Sequence, residues 1–273
     1  MSRRTHPIAA HLLARGAARS ALSAERGLAW DALGLDVYAG SLTRYHAGAW
    51  STIVDQTEEA GVEVRVSRAD DLPADSIHDP EEVLAVVLSW REQLGTHLGI
   101  RLEWPEGIGT PYDTDELEWD GYGAVQLLAA YEVHPDLQPK RGWFRGDPRD
   151  DPSLYPDAAA YQAAVARPET TRYPTLMFST EWFLPGDLAG RVFEAQGPHR
   201  RPVVMAGLDA LAAELEDLND RTLQLNNGDV EQVRRRGPGD TSSVGAMAPF
   251  GLAVLLDLAR FAVEHRCPML LDY

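Results

Sequence analysis

The stretch Leu35-Asp-Val-Tyr-Ala39 alternates core and solvent side chains, the period of a half-buried strand, and a helical pattern from Ser41 to Ala60, closed by Gly61, follows at once. Val62, Val64 and Val66, alternating with Glu63 and Arg65, predict a second strand. Continued regularly, this would be a doubly wound parallel sheet. It is not continued. Asp79-Pro-Glu-Glu82 is a strong helix start, with a capping acid, proline at the first helical position and acids in the first turn, and Val83, Val86, Val87, Trp90 and Leu94 share one predicted face. Ile100, Leu102 and Trp104 suggest a strand, and Asp120-Gly121 opens a helix that His134-Pro135 closes. Three strand-like segments then come in succession, Thr175–Leu184, Arg191–Glu194 and Pro202–Ala206. The helices Leu208–Leu225 and Ala248–His265 and the strand Met269–Leu271 follow. Strands grouped in this way predict an α+β fold, mixed sheet packed with several amphipathic helices, with a long proline-rich excursion in the middle.

Seven of the 18 prolines fall in residues 135–174, which predicts an irregular excursion with a short helix at Ala158–Val165. A basic, poorly packed extension is expected over residues 1–32 and one domain over 33–273, with lobes at 33–134 and 171–273 around the irregular 135–170. The extension is rich in Arg, Ala and Ser, like an organellar transit peptide. Its Arg3-Arg4 pair lacks the apolar run of an export signal, since Arg15 and Arg19 interrupt it. The apolar run Ala246–Val263 contains Pro249, Asp257 and Arg260, so a buried helix is expected there rather than a membrane span.

Charge narrows the function classes. The 273 residues carry −17 in all and residues 1–32 carry +3, leaving −20 on the remaining 241. Such a body repels phosphates and anionic lipid, so neither nucleic acid nor membrane is expected as partner, and a basic protein is. The single Cys267 excludes an internal disulfide and a cysteine zinc site, and fits a cytoplasmic setting. The eight histidines never fall three or four apart, and the glycine-rich phosphate loops, the G-x-S-x-G elbow and H-E-x-x-H are all absent. No metal or cofactor is expected, and the pattern sets no oligomeric state.

The chemistry that remains is carboxylates beside rings. Asp36, Asp120 and Glu181 are the candidate acids. Glu181 interrupts the apolar segment Leu176–Phe183, so on a buried strand it needs a partner or a shifted pKa. Tyr38, Tyr45, His46, Trp50, Trp119, Tyr122 and Trp182 are the candidate ligand-binding rings, with Tyr45, His46 and Trp50 on one face if their helix holds. Core packing is the ordinary role of tryptophans such as these. The acidic run Asp113–Asp120 begins like a calcium loop, but Leu117 and Glu118 break the pattern. It is expected to be a solvated turn, with Asp120 capping the next helix. Arg234-Arg-Arg236 is expected in a mobile basic loop, and Cys267 as a structural thiol.

Gly34-Leu-Asp-Val-Tyr-Ala-Gly-Ser-Leu-Thr-Arg-Tyr45 with Trp50, Trp119-Asp-Gly-Tyr-Gly123 and Phe261-Ala-Val-Glu-His-Arg-Cys-Pro-Met-Leu-Leu-Asp-Tyr273 resemble a family of uncharacterised bacterial proteins. Its members typically begin near Met-Gly-Leu-Asp-Val-Tyr, so the resemblance covers roughly residues 33–273. It implies no established activity, and no role passes from it to any residue. Three functional expectations follow from the residues themselves. One is an immunity-like acidic antagonist of a basic partner. Another is a hydrolase with a cleft of carboxylates and rings, directed at carbohydrate. The third is a small-ligand binder with no chemistry.

Overall fold

The alternation at residue 35 does form a strand, β1 (Asp36–Ala39), and it becomes the second strand of a six-stranded mixed sheet. The computed structural model describes residues 34–51, 79–139, 151–167, 171–178, 180–188, 190–239 and 243–272. The expected extension over 1–32 and the strand Val62–Val66 lie outside the described residues. The described chain divides into two compact units, one built from Trp119–Ser179 and Glu216–Ala253, the other from Leu33–Glu118, Thr180–Leu215 and Val254–Tyr273.

The second unit holds the sheet, in the order β2-β1-β6-β3-β5-β4. Its other strands are β2 (Asp113–Glu116), β3 (Trp182–Leu184), β4 (Val192–Gln196), β5 (Pro202–Gly207) and β6 (Met269–Asp272). Only β3 and β5 run parallel; the other neighbours are antiparallel. Directly paired residues share a face, so Tyr38, Leu270, Trp182, Met205 and Phe193 project from the same side. Tyr38, Leu270, Trp182 and Met205 are all buried there.

Two helices supply further side chains to that core. Ser41 caps α1 (Leu42–His46), accepting from Arg44 N at 3.1 Å. This helix is far shorter than the span expected to Ala60. It ends in a turn at Gly48, whose φ of +64° a residue without Cβ adopts at little cost. α2 (Pro80–Leu98) starts on its predicted Asp79 cap. It buries Val83, Val87, Trp90 and Leu94, whereas Val86 is turned out and 46% exposed. Trp90 Nε1 donates to Gln196 O at 2.7 Å, tying α2 to β4. The expected strand at Ile100–Trp104 does not form among the described residues; Leu102 and Trp104 pack into the same core instead.

The first unit is helical. It contains α3 (Trp119–Val133), α4 (Ala159–Ala166), the single turn α5 (Pro174–Met177) and α7 (Asn227–Arg236). The helices α6 (Leu208–Arg221) and α8 (Val244–His265) contribute residues to both units. α3 is buried around nearly its whole circumference from Gly121 to Leu127, the mark of an interior helix. A Cβ on Gly251 of α8 would stand 2.4 Å from Gly121 O, so the two backbones touch where only glycine fits. α8 is long and apolar enough to cross a membrane, yet 67% of its most apolar window is buried inside the protein.

Three further expectations are corrected. Thr175–Leu184 is a helical turn followed by β3 rather than one strand, because Pro174 starts the turn. Arg234–Arg236 is the last turn of α7 and no loop. A capping box between Asn226 and Asp229 starts that helix, and three guanidiniums suit its carbonyl end. The acidic run at Asp113 is β2, held by its pairing with β1.

Candidate functional site

The sheet face that carries Tyr38 ends in carboxylates. Glu116, Asp36 and Asp272 are directly opposite one another on β2, β1 and β6, so three acids share one face in a row across three strands. Side chains so placed stand about 5 Å apart at Cβ. Tyr45 Oη donates to Asp272 Oδ1 at 2.7 Å, and an ideal Cβ on Gly34 would lie 2.8 Å from Glu116 Oε1.

Beside this row the rings assemble. Tyr45 stacks on Trp50 with centroids 5.7 Å apart and planes 20° from parallel. Tyr38 lies 5.4 Å from Tyr45, 5.1 Å from Trp50 and 6.2 Å from Tyr112. His46 meets Trp182 at 5.8 Å and the exposed His199 at 4.4 Å. Tyr45, His46, Trp50 and Tyr112 are half-buried, while Tyr38 and Trp182 are core. Burial holds the Tyr38 hydroxyl protonated well above the usual tyrosine range, and the Arg44 charge offsets this only in part. That hydroxyl donates to Ser41 O at 2.9 Å.

Polar groups brace the cluster from behind. Glu106 accepts from Thr43 N at 2.9 Å, Thr43 Oγ1 at 2.7 Å and Trp104 Nε1 at 2.6 Å, which places a carboxylate on the N-terminal amides of α1. Arg44 lies 4.5 Å over the Tyr112 ring and donates to Ala49 O at 2.7 Å. It thereby clamps the turn that returns Trp50 to Tyr45. The ring trio expected on a helical face therefore meets through a turn.

The other candidates fall elsewhere. Glu181 is 7% exposed and not bare: its Oε2 pairs with Arg201 Nη2 at 3.2 Å and its Oε1 accepts from Val204 N at 3.4 Å. Trp119, Asp120 and Tyr122 belong to α3 in the helical unit. Tyr122 is buried there with its hydroxyl donating to Leu176 O at 3.3 Å. In the same unit Asp217 takes hydrogen bonds from Arg221 Nε at 2.9 Å and Tyr173 Oη at 3.0 Å. Burial pushes the Asp217 carboxyl up, but these bonds and the Arg221 and Arg172 charges outweigh it and hold it below the usual range. Among the described residues, no group of three or more His, Cys, Asp or Glu side chains is placed to hold a metal ion.

A second place is not foreseen by the sequence reading. At the carboxyl ends of β3 and β5 lies an open cleft of about 540 Å³ whose charged lining is Asp187, Asp209 and Arg266. The available signal was positional: Pro185-Gly-Asp-Leu188 and Gly207-Leu-Asp209 each follow a strand-like segment with a glycine and then an acid.

Fold and sites together define an α+β protein with a mixed sheet, a face of rings and carboxylates, and a polar cleft at its parallel strand ends. In comparisons with protein-family models, curated proteins and solved structures, nothing matches the chain.

Proposed function

We propose that the protein is a binding protein that engages a basic partner, in the manner of an acidic antagonist. The observation that carries this reading is the row Glu116–Asp36–Asp272 beside the half-buried Tyr45, His46, Trp50 and Tyr112. A row of carboxylates on one sheet face, beside accessible rings, is complementary in charge to a cationic group on a partner. Tyrosine and tryptophan with one face accessible are the side chains that carry most binding energy at protein interfaces. The net charge of −20 over residues 33–273 would speed the encounter and make it sensitive to salt.

The test is affinity capture from native lysate at low salt, comparing the wild type with Trp50→Ala and with Asp36→Asn/Asp272→Asn. The expected result is a basic protein held by the wild type, released at about 0.5 M salt where the screening length falls to a few ångströms, and lost with both variants. Recovery of no basic protein, or equal recovery with the charge variant, would overturn the reading.

A hydrolase directed at carbohydrate is supported by one arrangement, the Asp272 carboxylate bonded to a tyrosine that is itself stacked on Trp50. Release of sugar from a glycoside panel, abolished by Asp36→Asn or Asp272→Asn, would favour it over the binder.

A further inference from the structure

We propose that the cleft at the carboxyl ends of β3 and β5 binds a small zwitterion, a molecule of amino-acid size with one ammonium and one carboxylate. This site is separate from the ring face and independent of the partner proposed for it. Its position follows from topology. β3 and β5 are parallel neighbours, with Leu184 opposite Gly207, so the chain leaves both at the same end of the sheet. It turns from β3 into Pro185–Leu188 and runs from β5 directly into α6. Crevices that take ligands in open sheets form where parallel strands release their connections at their carboxyl ends.

The size fits a compact solute. About 540 Å³ is within the roughly 300–1,000 Å³ usual for small-molecule pockets. Gly186 and Gly207 contribute backbone without side chains, and Val263 presents an apolar wall that is 39% exposed.

The lining charges select the ligand. Arg266 lines the cleft from just beyond the end of α8, on a backbone held at φ +52°, a strained conformation for a residue with a Cβ. The first turn of α6 adds amide N–H groups that no helical carbonyl can satisfy, and Gly207 before it has no side chain to cap them. These donors suit a carboxylate. Asp187 and Asp209 are both exposed in the cleft and suit an ammonium. A simple anion would meet two carboxylates, and a simple amine would meet Arg266 and the positive end of α6. A molecule carrying both charges answers every group present.

The experiment is calorimetric titration of the full chain with L-leucine and 4-aminobutyrate, and with the half-charged leucine analogues isopentylamine and 4-methylpentanoate. Saturable binding of at least one zwitterion is expected, with the half-charged compounds about tenfold or more weaker, the loss of one charge-assisted contact. Arg266→Asn, a residue that tolerates positive φ, and Asp209→Asn should each weaken zwitterion binding by a similar factor while leaving the ligand-free melting temperature within about 2 °C. The proposal fails if neither zwitterion binds below about 10 mM, if isopentylamine or 4-methylpentanoate binds as well as the zwitterions, or if both variants bind like the wild type.

Discussion

Cys267 shows how completely one side chain's surroundings decide its chemistry. The thiol sits between Arg266 and Pro268, where neighbouring positive charge would ordinarily favour the thiolate. Yet the residue is 2% exposed and burial pushes its pKa up to about 12, with the Glu106 charge adding to the rise. A thiol reagent at pH 8 should therefore leave the folded protein unlabelled over an hour and label it fully in denaturant. Rapid labelling of the native protein would show that the β6 entrance opens. Glu181 gives the complementary lesson. Its oddity in an apolar segment is plain in the sequence, but its partner Arg201 stands 20 positions away and is named only by the β3–β5 pairing. Tyr45, His46 and Trp50 were legible as a group because they are close in sequence. Tyr112 and Asp272 were not, because pairing across the sheet delivers them.

At the scale of elements, the close passage of α3 and α8 sets the sharpest constraint. Alanine favours a helix over glycine by about 1 kcal/mol. At Gly251 that gain is outweighed, because the new methyl would meet the backbone oxygen of Gly121 and the side chain of Val125. Gly251→Ala should lower stability by about 1–3 kcal/mol, the range for overpacking, measured by urea unfolding. An unchanged or raised midpoint would mean that the helices can part without cost. The elements readable in advance were those whose signals are local, such as α2 with its Asp79 cap and apolar spacing. β2 was unreadable for a physical reason. Asp-Thr-Asp-Glu has poor intrinsic preference for a strand, and its conformation comes from the ladder to β1. α7 is obscured differently: its capping box is present in the sequence, but three consecutive arginines at its far end have the look of a solvated loop.

For the molecule as a whole, charge opposes compactness. With −17 on 273 residues, screening should stabilise the fold. Raising ionic strength from about 10 mM to about 150 mM shortens the Debye length from about 30 to about 8 Å. The melting temperature by calorimetry should rise by about 2–4 °C per kcal/mol of repulsion removed. A fall would mean that favourable ion pairs outweigh the repulsion. The cleft at the strand ends escaped sequence reading for a reason of this same scale, since Asp187, Asp209 and Arg266 converge only once β3 and β5 lie side by side.

Strand β6 lies between β1 and β3, and so it is the keystone of a sheet whose other five strands are all synthesised before it. Until β6 emerges from the ribosome, β1 and β2 form one fragment and β3, β5 and β4 another, each with an unfilled inner edge. The Tyr45–Asp272 bond closes a loop of 227 positions. Assembly of this unit is therefore slow and late by construction, and the nascent chain must shield two sticky β-edges while it waits.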